Sequence, residues 1–387
     1  MIASPFCYKD VRFLFLVGGL VLLSSFAHAL TLASDRVSCT TPGANGADLT
    51  YRYGPSAMNQ VADVYLPRGT KEDSFKAIPV VVLVHGGYWY EPYTRASTNG
   101  SDMRPLVLDL QTISDDCPYV VVNIEYRRVG PSGGGVPATL QDLTNAVDAL
   151  ACVQSTLRQN FEVEMDLQRI AMVGHSAGGH LALWRTLQVG LPTDLAQRMG
   201  LQQVSIHPKV AVGLAAVSDF QCPLDPSCPD RITSCQAIRD FVSSGRKDNA
   251  SLEDLLSKID LELVSPLQML TSANAVTPHG SKLHFALNHG TKDNLVGNIQ
   301  SKRFYEQCQQ FENVESVMNL QGGEDHFAVI NPKSASWNNF VKPYLRRILF
   351  DETTENQNAA QSTSLMSYSE DQLVDLSRLL RMLHLGR

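Results

Sequence analysis

The sequence of 387 residues has no cluster of basic residues, and only 18% of its residues are charged. Its formal net charge is −7, from 32 basic and 39 acidic residues. A protein that follows nucleic-acid phosphates needs a positively charged stripe, so this composition argues against a nucleic-acid partner. Internal repeats are also absent. With 44% hydrophobic residues, the chain can instead bury a large core.

An apolar run at the N-terminus is too short to span a membrane. It covers about 14 residues, 13–26, where about 20 are needed. Lys9 and Arg12 precede it, and Ala27-His28-Ala29 follows with small residues at the two positions that a signal peptidase reads. We therefore predict a signal peptide over residues 1–29, a secreted mature chain and no stable insertion into a membrane.

Cysteine is present, but not in a metal-binding pattern. The chain has eight cysteines, and removal of Cys7 with the signal peptide leaves seven, so at least one thiol is unpaired. Cys222, Cys228 and Cys235 lie in the segment "CPLDPSCPDRITSC", which is rich in proline, aspartate and serine. A zinc site there would lack a C-x-x-C pair and a nearby histidine. In a secreted protein, this pattern predicts a loop held by a disulfide between two of the three cysteines.

Apolar segments rich in β-branched residues recur along the chain and alternate with helical patterns. In "ATLQDLTNAVDALACV", residues 138–153, apolar side chains repeat at helical spacing. Strands that are apolar on both faces and alternate with helices predict a parallel sheet covered on two sides. The predicted class is therefore α/β, doubly wound. The strand candidates are residues 61–67, 79–86, 119–127, 169–176, 210–218, 283–290 and 315–323.

Two segments fall outside this alternation. Residues 221–265 replace a single crossover with the cysteine-bearing loop and two short helices, and we predict that they form a small cap over the carboxyl edge of the sheet, where ligands bind in such folds. Residues 351–387 combine a polar linker with the amphipathic pattern "SEDQLVDLSRLLRMLHL", a helix that either docks on the main domain or binds a partner. The main domain then spans 30–350, and the oligomeric state stays open.

The segment "MVGHSAGGHLALW" contains the strongest chemical motif. Ser176 ends an apolar strand pattern and begins a helical one, inside Gly174-His175-Ser176-Ala177-Gly178, which matches the G-x-S-x-G nucleophile elbow. The glycines are needed because side chains two residues before and after the serine would collide in so tight a turn. Because the strand and the helix are both recognisable, we predict that Ser176 is a catalytic nucleophile.

A serine hydroxyl needs a base that is oriented by an acid. His326 in "GGEDHF" follows the last predicted strand and is the predicted base. Asp293 in "HGTKDNLV" follows the penultimate strand, from which a carboxylate can reach the imidazole. Asp325 adjoins the histidine and would point elsewhere, whereas Asp219 ends an earlier strand and would need a variant geometry. We therefore predict that Asp293 is the acid.

The segment "VVVLVHGGYWY", residues 80–90, ends a buried strand with two glycines. Glycine weakens a strand unless the backbone must bend sharply or approach another group closely. Acyl-transfer enzymes need such an approach, because backbone N–H groups must reach the oxyanion of the intermediate. Tyr88, Trp89 and Tyr90 follow directly, either as walls of the substrate pocket, for which Trp89 and Tyr90 are the candidates, or as packing aromatics. The candidate oxyanion donors are Gly86, Gly87, Tyr88 and Ala177.

No cofactor or metal is predicted. His175 and His180 flank the serine, but no third ligand accompanies them. The segment "RRVGPSGGGVP" is rich in glycine, yet it lacks the Gly-Lys-Ser/Thr ending of a phosphate-binding loop. We interpret it as a loop near the rim of the active site.

Residues from about 50 to 350 resemble the α/β-hydrolase superfamily, and within it the branch of small esterases related to kynurenine formamidases, or arylformamidases. The matching segments are "HGGYW", "EYRRVGPSGGGVP", "GHSAGGHLALW", "HGTKDNLV" and "DHFAVINP". The resemblance implies a serine hydrolase with Ser176 as nucleophile, Asp293 as acid and His326 as base. It also implies that Gly86, Gly87 and Ala177 surround the oxyanion.

The predicted function is a secreted serine hydrolase that cleaves a small carboxylic ester through an acyl-enzyme. One alternative is an arylformamidase acting on amides such as N-formylkynurenine, and another is a catalytically silent, hydrolase-like binding module. Predicted secretion and the 221–265 insertion favour the ester over the formamide. Silent modules typically lose a triad residue, and all three are present in this sequence. The predicted partner is therefore a small ester or amide substrate.

Overall fold

The computed structural model describes residues 37–351, except for 69–76, 98–99, 113–116, 192, 202–203, 227–232, 247–249 and 272–281. The predicted signal peptide and the predicted C-terminal helix lie outside the described residues. Among the helices of the described ranges, none has the length and apolar character needed to cross a membrane.

The strands of the described residues form a single nine-stranded sheet. All seven predicted strands are present, and two short strands, β1 and β2, precede them. The strands are β1 Ser38–Thr40, β2 Leu49–Arg52, β3 Val61–Tyr65, β4 Ile78–Val84, β5 Val120–Ile124, β6 Met165–His175, β7 Val210–Leu214, β8 Leu283–Gly290 and β9 Val314–Gln321.

Strand order explains where the functional loops meet. The order across the sheet is β1-β2-β3-β5-β4-β6-β7-β8-β9. The first three strands pair antiparallel, as do β3 and β5, and all pairs from β5 to β9 are parallel. The predicted mostly parallel α/β sheet is thus confirmed. The loops after β4, β6, β8 and β9 all leave from the carboxyl edge of its parallel part.

The sheet is buried on both faces, as its apolar strands predict. Along β4, Val80, Val82 and Val84 pack in one apolar cluster, whereas Val81 and Leu83 pack in a second cluster. Side chains alternate between faces along a strand, so a strand apolar at every position needs cover on both sides. All five of these residues have no exposed surface. The central strands therefore hold the loops at their ends on a rigid base.

Helices cover the two faces and the carboxyl edge. The predicted helix over residues 138–153 is present, but Ala149 interrupts it and divides it into α2 and α3. The helices are α1 Arg104–Gln111, α2 Ala138–Asp148, α3 Leu150–Phe161, α4 Ala177–Leu187, α5 Thr193–Arg198, α6 Thr233–Val242, α7 Leu252–Leu256, α8 Pro266–Thr271, α9 Ile299–Cys308 and α10 Lys342–Arg346. Single π-helical turns, Ser336–Val341 and Arg347–Asp351, flank α10.

The segment predicted as a cap contains helices α6 and α7. Helix α6 packs on the loop after β4, because Phe241 stacks on Trp89 with ring centroids 4.6 Å apart. Helix α7 begins with a capping box, in which the Ser251 hydroxyl accepts from the backbone N–H of Asp254. Cys235 in α6 is a free thiol, and Cys228 lies outside the described residues. The disulfide predicted between two of the three cysteines therefore stays a prediction, and Cys235 takes no part in one in this structure.

Candidate active site

Ser176 lies in a strained turn between strand β6 and helix α4. Its backbone has φ 55° and ψ −119°, a conformation that L-residues rarely adopt. The backbone N–H of Ser176 donates to the Leu214 carbonyl over 2.8 Å, which anchors the turn to the neighbouring strand. Such strain persists where the surrounding structure holds it in place, and it is concentrated at functional sites.

The glycines on either side of Ser176 are required by close backbone contacts. A Cβ atom on Gly174 would lie 2.0 Å from the Gly178 carbonyl oxygen, and one on Gly178 would lie 2.2 Å from the Val84 carbonyl oxygen. Neither position can hold a side chain without moving backbone. The collision predicted from the G-x-S-x-G motif is therefore present on both sides of the serine.

Asp293 and His326 are hydrogen-bonded at the same edge of the sheet. Asp293 Oδ2 lies 2.7 Å from His326 Nδ1, and the Asp293 side chain has no exposed surface. Its other oxygen, Oδ1, accepts from the backbone N–H groups of Leu295 and Val296, each over 2.9 Å. A carboxylate held in this way directs the Nδ1 proton of His326 toward itself. His326 Nε2 is then the basic nitrogen.

The charge of Asp293 is stabilised from several directions. Burial by itself raises the pKa of Asp293, but hydrogen bonds from His289, His326 and the Val296 backbone outweigh it and hold that pKa well below its usual range. The carboxylate is therefore ionised at neutral pH. An ionised acid can both orient His326 and stabilise the imidazolium that forms when the histidine accepts a proton.

Two histidines that sequence reasoning did not assign to the site support this pair. His175, beside the serine, donates from Nε2 to the His326 carbonyl over 2.8 Å. Burial and the neighbouring His326 lower the pKa of His175 to about 3, so it is neutral. His289 lies behind the acid, with Nε2 2.8 Å from the Val296 carbonyl and 3.2 Å from Asp293 Oδ2. In the sequence, the feature that could have identified these two histidines is their position at the ends of β6 and β8.

Ser176 and His326 are close but not hydrogen-bonded to each other in this structure. The rings of His175 and His326 have centroids 4.6 Å apart, which places the base next to the serine turn. No hydrogen bond joins Ser176 to His326 in the described part of the chain. Catalytic hydrogen bonds are often long before substrate binds.

The glycine loop after β4 lies directly on the serine turn. A Cβ atom on Gly86 would lie 2.9 Å from the His175 carbonyl oxygen and 3.1 Å from Ser176 Cβ. Gly87 has φ 106°, and Tyr88 and Trp89 both have φ 56°. The closest neighbour of Gly86 is thus the nucleophile turn itself. This contact brings the backbone after Gly86 beside Ser176, where the predicted oxyanion donors are needed.

Helix α4 starts at Ala177, so its first N–H groups have no acceptor within the helix. They lie next to Ser176 and carry the positive end of the helix dipole. Ala177 is 1% exposed and lines the same cavity as Ser176. The arrangement places an N–H donor of the predicted oxyanion hole beside the nucleophile.

The two aromatic residues after the glycine loop have different surroundings. Trp89 is buried and lines the cavity beside Ser176. Tyr90 instead donates its hydroxyl to Asp240 Oδ2 over 2.6 Å, which ties the loop to helix α6. It is not among the residues that line that cavity.

The cavity beside Ser176 is narrow and mostly apolar. Helix α6 contributes Ala237 and Ile238 to it, and the loops after β7 and β8 contribute Val217 and Val296. An apolar wall excludes charged or strongly polar groups, because burying these without partners is unfavourable. The full lining of the cavity is Tyr88, Trp89, Ser176, Ala177, Val217, Ala237, Ile238 and Val296.

The alternative acids are bonded elsewhere. Asp219 accepts from Arg303 Nη1 and from Gln268 Nε2, each over 3.1 Å. Asp325 accepts from the backbone N–H groups of Phe327 and Ala328, so its carboxylate points away from the imidazole, as predicted. Asp293 is the carboxylate that contacts His326.

His180, four residues after Ser176, is a packed structural residue. His180 donates from Nε2 to the Val264 carbonyl over 2.8 Å, and its ring stacks on Phe220. In the described ranges, no group of three or more His, Cys, Asp or Glu side chains is arranged to hold a metal ion.

Comparisons with known proteins identify a family and a fold for this chain. The BD-FAE family model matches residues 62–308. The chain is 31% identical over 158 residues to the non-reducing polyketide synthase ausA of Aspergillus calidoustus, a match that covers 40% of this chain but 6% of the synthase. The chain therefore spans a small fraction of the length of this curated relative.

Solved esterase structures share the fold. Esterase B from Lactobacillus Rhamnosis superposes with a TM-score of 0.58 at 18% identity, over 89% of this chain and 97% of that chain. A tributyrin phosphonate complex of the same esterase superposes with a TM-score of 0.57 at 16% identity, over 92% and 99% of the two chains. At this identity the likeness concerns the fold.

Proposed function

We propose that this chain, which belongs to the BD-FAE family and has the α/β-hydrolase fold, is a serine esterase that cleaves small carboxylic esters through an acyl-enzyme. The observation that carries the proposal is the 2.7 Å hydrogen bond from His326 Nδ1 to Asp293, beside the strained turn of Ser176. An ionised acid, a base oriented by it and a serine at a helix N-terminus are the parts that acyl transfer requires.

The proposed mechanism uses each part in turn. His326 Nε2 takes the proton of Ser176 as the serine Oγ attacks the ester carbonyl, and Asp293 stabilises the imidazolium. The resulting oxyanion faces the backbone N–H of Ala177 and those of the glycine loop. Collapse of this intermediate expels the alcohol, which receives its proton from His326. Water, activated by the same histidine, then hydrolyses the acyl-enzyme and restores Ser176.

The cavity supports a short acyl group. Ile238, Val217 and Val296 close the space beside Ser176 with apolar side chains, and one methylene more or less in such a pocket changes discrimination by about 1–3 kcal/mol. We further propose, from the N-terminal pattern at residues 1–29, that the mature protein acts in the secretory pathway or outside the cell.

A fluorophosphonate probe tests the proposed chemistry directly. Such a probe forms a covalent bond only with a serine that is activated as a nucleophile, and we expect peptide mapping to find the adduct on Ser176. Esterase B, which shares the fold, was solved with a phosphonate inhibitor. Heat-denatured protein is the control and should take up no label. Intact protein that stays unlabelled would favour the silent binding module, whereas a label on another serine would exclude Ser176 as the nucleophile.

Steady-state kinetics distinguish the ester from the formamide as the preferred substrate. An ester oxygen leaves readily, whereas an amine must be protonated by His326 before its bond breaks. We expect kcat/KM for a short-acyl aryl ester to exceed that for N-formylkynurenine by at least about tenfold, a difference of roughly 1.4 kcal/mol in transition-state stabilisation. Both substrates are measured on one preparation of mature protein. Equal or faster turnover of the formamide would establish the arylformamidase alternative.

A further inference from the structure

The loop that carries the predicted oxyanion donors has an unusual backbone. Three successive residues, Gly87, Tyr88 and Trp89, have positive φ angles of 106°, 56° and 56°. Two of them are aromatic residues, for which this region is unfavourable. A strained run of this kind keeps its shape only when contacts from outside the run hold it. Residues outside the run must therefore supply those contacts.

A single buried carboxylate bonds both ends of the loop. Glu125, just after β5, is 1% exposed. Its Oε1 lies 3.1 Å from His85 Nε2 at the start of the loop, and its Oε2 accepts from the backbone N–H of Arg95, over 2.9 Å, at the end. Arg128 also bonds Oε1. Glu125 thus joins two positions that are ten residues apart in the sequence.

His85 lies between the oxyanion loop and Glu125. His85 has no exposed surface, and its Nδ1 lies 2.7 Å from the Gly86 carbonyl oxygen while Nε2 faces Glu125. Both ring nitrogens therefore lie within hydrogen-bond distance of an oxygen, one on the loop and one on Glu125. The ring also stacks on Tyr126, with centroids 4.4 Å apart, and the Tyr126 hydroxyl donates to the His85 carbonyl over 2.9 Å.

The middle of the loop is held by the same segment. The backbone N–H of Val129 donates to the Trp89 carbonyl over 2.8 Å. Residues 125–129 therefore contact the loop at its start, middle and end. Burial by itself would raise the pKa of Glu125, yet His85 and Arg128 lower it, so the carboxylate keeps the charge on which these contacts depend.

We infer that Glu125 is a positioning residue for the oxyanion loop. Because Glu125 is hydrogen-bonded to both His85 and Arg95, it keeps the backbone N–H groups of the strained run aimed at the carbonyl oxygen of the substrate. This inference rests on the proposed esterase function. A donor that is displaced by about 1 Å loses much of its effect on the transition state, a loss on the order of 100-fold in rate.

The variant Glu125→Gln tests the inference, because it keeps the size of the side chain and removes its charge. Glutamine has one acceptor oxygen, so it can accept a hydrogen bond from only one end of the loop. The carboxylate of Glu125 accepts from both ends. We expect kcat on a short-acyl aryl ester to fall about 100-fold while KM changes less than about threefold. Acylation and deacylation both pass through an oxyanion, so both steps slow together. Inhibition by an alkyl boronic acid, a tetrahedral mimic, should weaken by a similar factor.

Asp148→Asn is the matched control. Asp148 at the end of α2 bonds Nη2 of the buried Arg185 over 3.1 Å and accepts from the backbone N–H of Ile206 over 3.2 Å, and none of its hydrogen bonds reaches the oxyanion loop or residues 125–129. We expect its Tm to fall at least as far as that of Glu125→Gln, while kcat stays within about threefold of the wild type. An equal loss of kcat in both variants would show general damage and overturn the inference.

A second variant covers the case in which Glu125→Gln does not fold. His85→Phe keeps a ring against Tyr126 and removes both nitrogens, so it frees the start of the loop but leaves Glu125 bonded to Arg128 and to the Arg95 backbone. The same loss in kcat at constant KM is expected. If this variant keeps its kcat, the inference is wrong. The two proposals fail differently: a wild-type protein that hydrolyses no ester contradicts the esterase, whereas an active wild type with active variants contradicts only the role of Glu125.

Discussion

Replacing Ser176 by alanine is expected to reduce ester hydrolysis by a factor on the order of 10⁶, close to the uncatalysed background. The reason is that the Ser176 hydroxyl is the group that forms the acyl-enzyme in the proposed mechanism. The variant should remain folded, because the serine hydroxyl makes no hydrogen bond in the described structure and the turn is held by backbone contacts. Its Tm should stay within a few degrees of the wild type. Steady-state kinetics with a short-acyl aryl ester and a thermal melt provide the two measurements.

Ser336→Ala is the matched control for this change. Ser336 is also a buried serine, its hydroxyl has no partner within the described residues, and it lies in a π-helical turn near the C-terminal end of the domain. We expect its activity to stay within about twofold of the wild type. A Ser176→Ala variant with more than about 1% of the wild-type kcat would exclude Ser176 as the nucleophile.

Replacing Asp293 by asparagine is expected to reduce kcat by about 10³ to 10⁴. Asparagine can still accept from the Leu295 and Val296 N–H groups through its carbonyl oxygen, so its NH₂ group would then face His326 Nδ1. That donor forces the histidine into the tautomer with the proton on Nε2, which cannot accept a proton from Ser176. The fold should be retained, and the loss should appear in kcat.

Asp219→Asn separates the two candidate acids. The Asp219 carboxylate is bonded by Arg303 and Gln268 rather than by a histidine, so this variant should lose some stability and keep kcat within about threefold. Rates for both variants are compared at the same pH and the same substrate concentrations. If Asp219→Asn were the inactive variant and Asp293→Asn the active one, the assignment of the acid would be reversed.

The amino-acid sequence by itself determined the features that depend on residues close to one another in the chain. The seven longer strands follow from runs of β-branched residues, and the serine turn follows from glycines that must stand two residues on either side of Ser176. Strands β1 and β2 were missed because three and four residues are too few to show a period. The break at Ala149 was missed because the apolar spacing continues through it.

Only the tertiary structure decided which distant groups meet. The sequence favoured Asp293 among three carboxylates without showing a contact, and strand order brings Asp293 to His326 across 33 residues of sequence. Tyr90 contacts Asp240 rather than the cavity, and Glu125 joins His85 to Arg95. The physical reason is that periodicity reports which face of an element is buried, whereas the neighbour on that face depends on how the sheet is ordered. A carboxylate that is an ordinary loop residue in the sequence becomes part of the site only through that order.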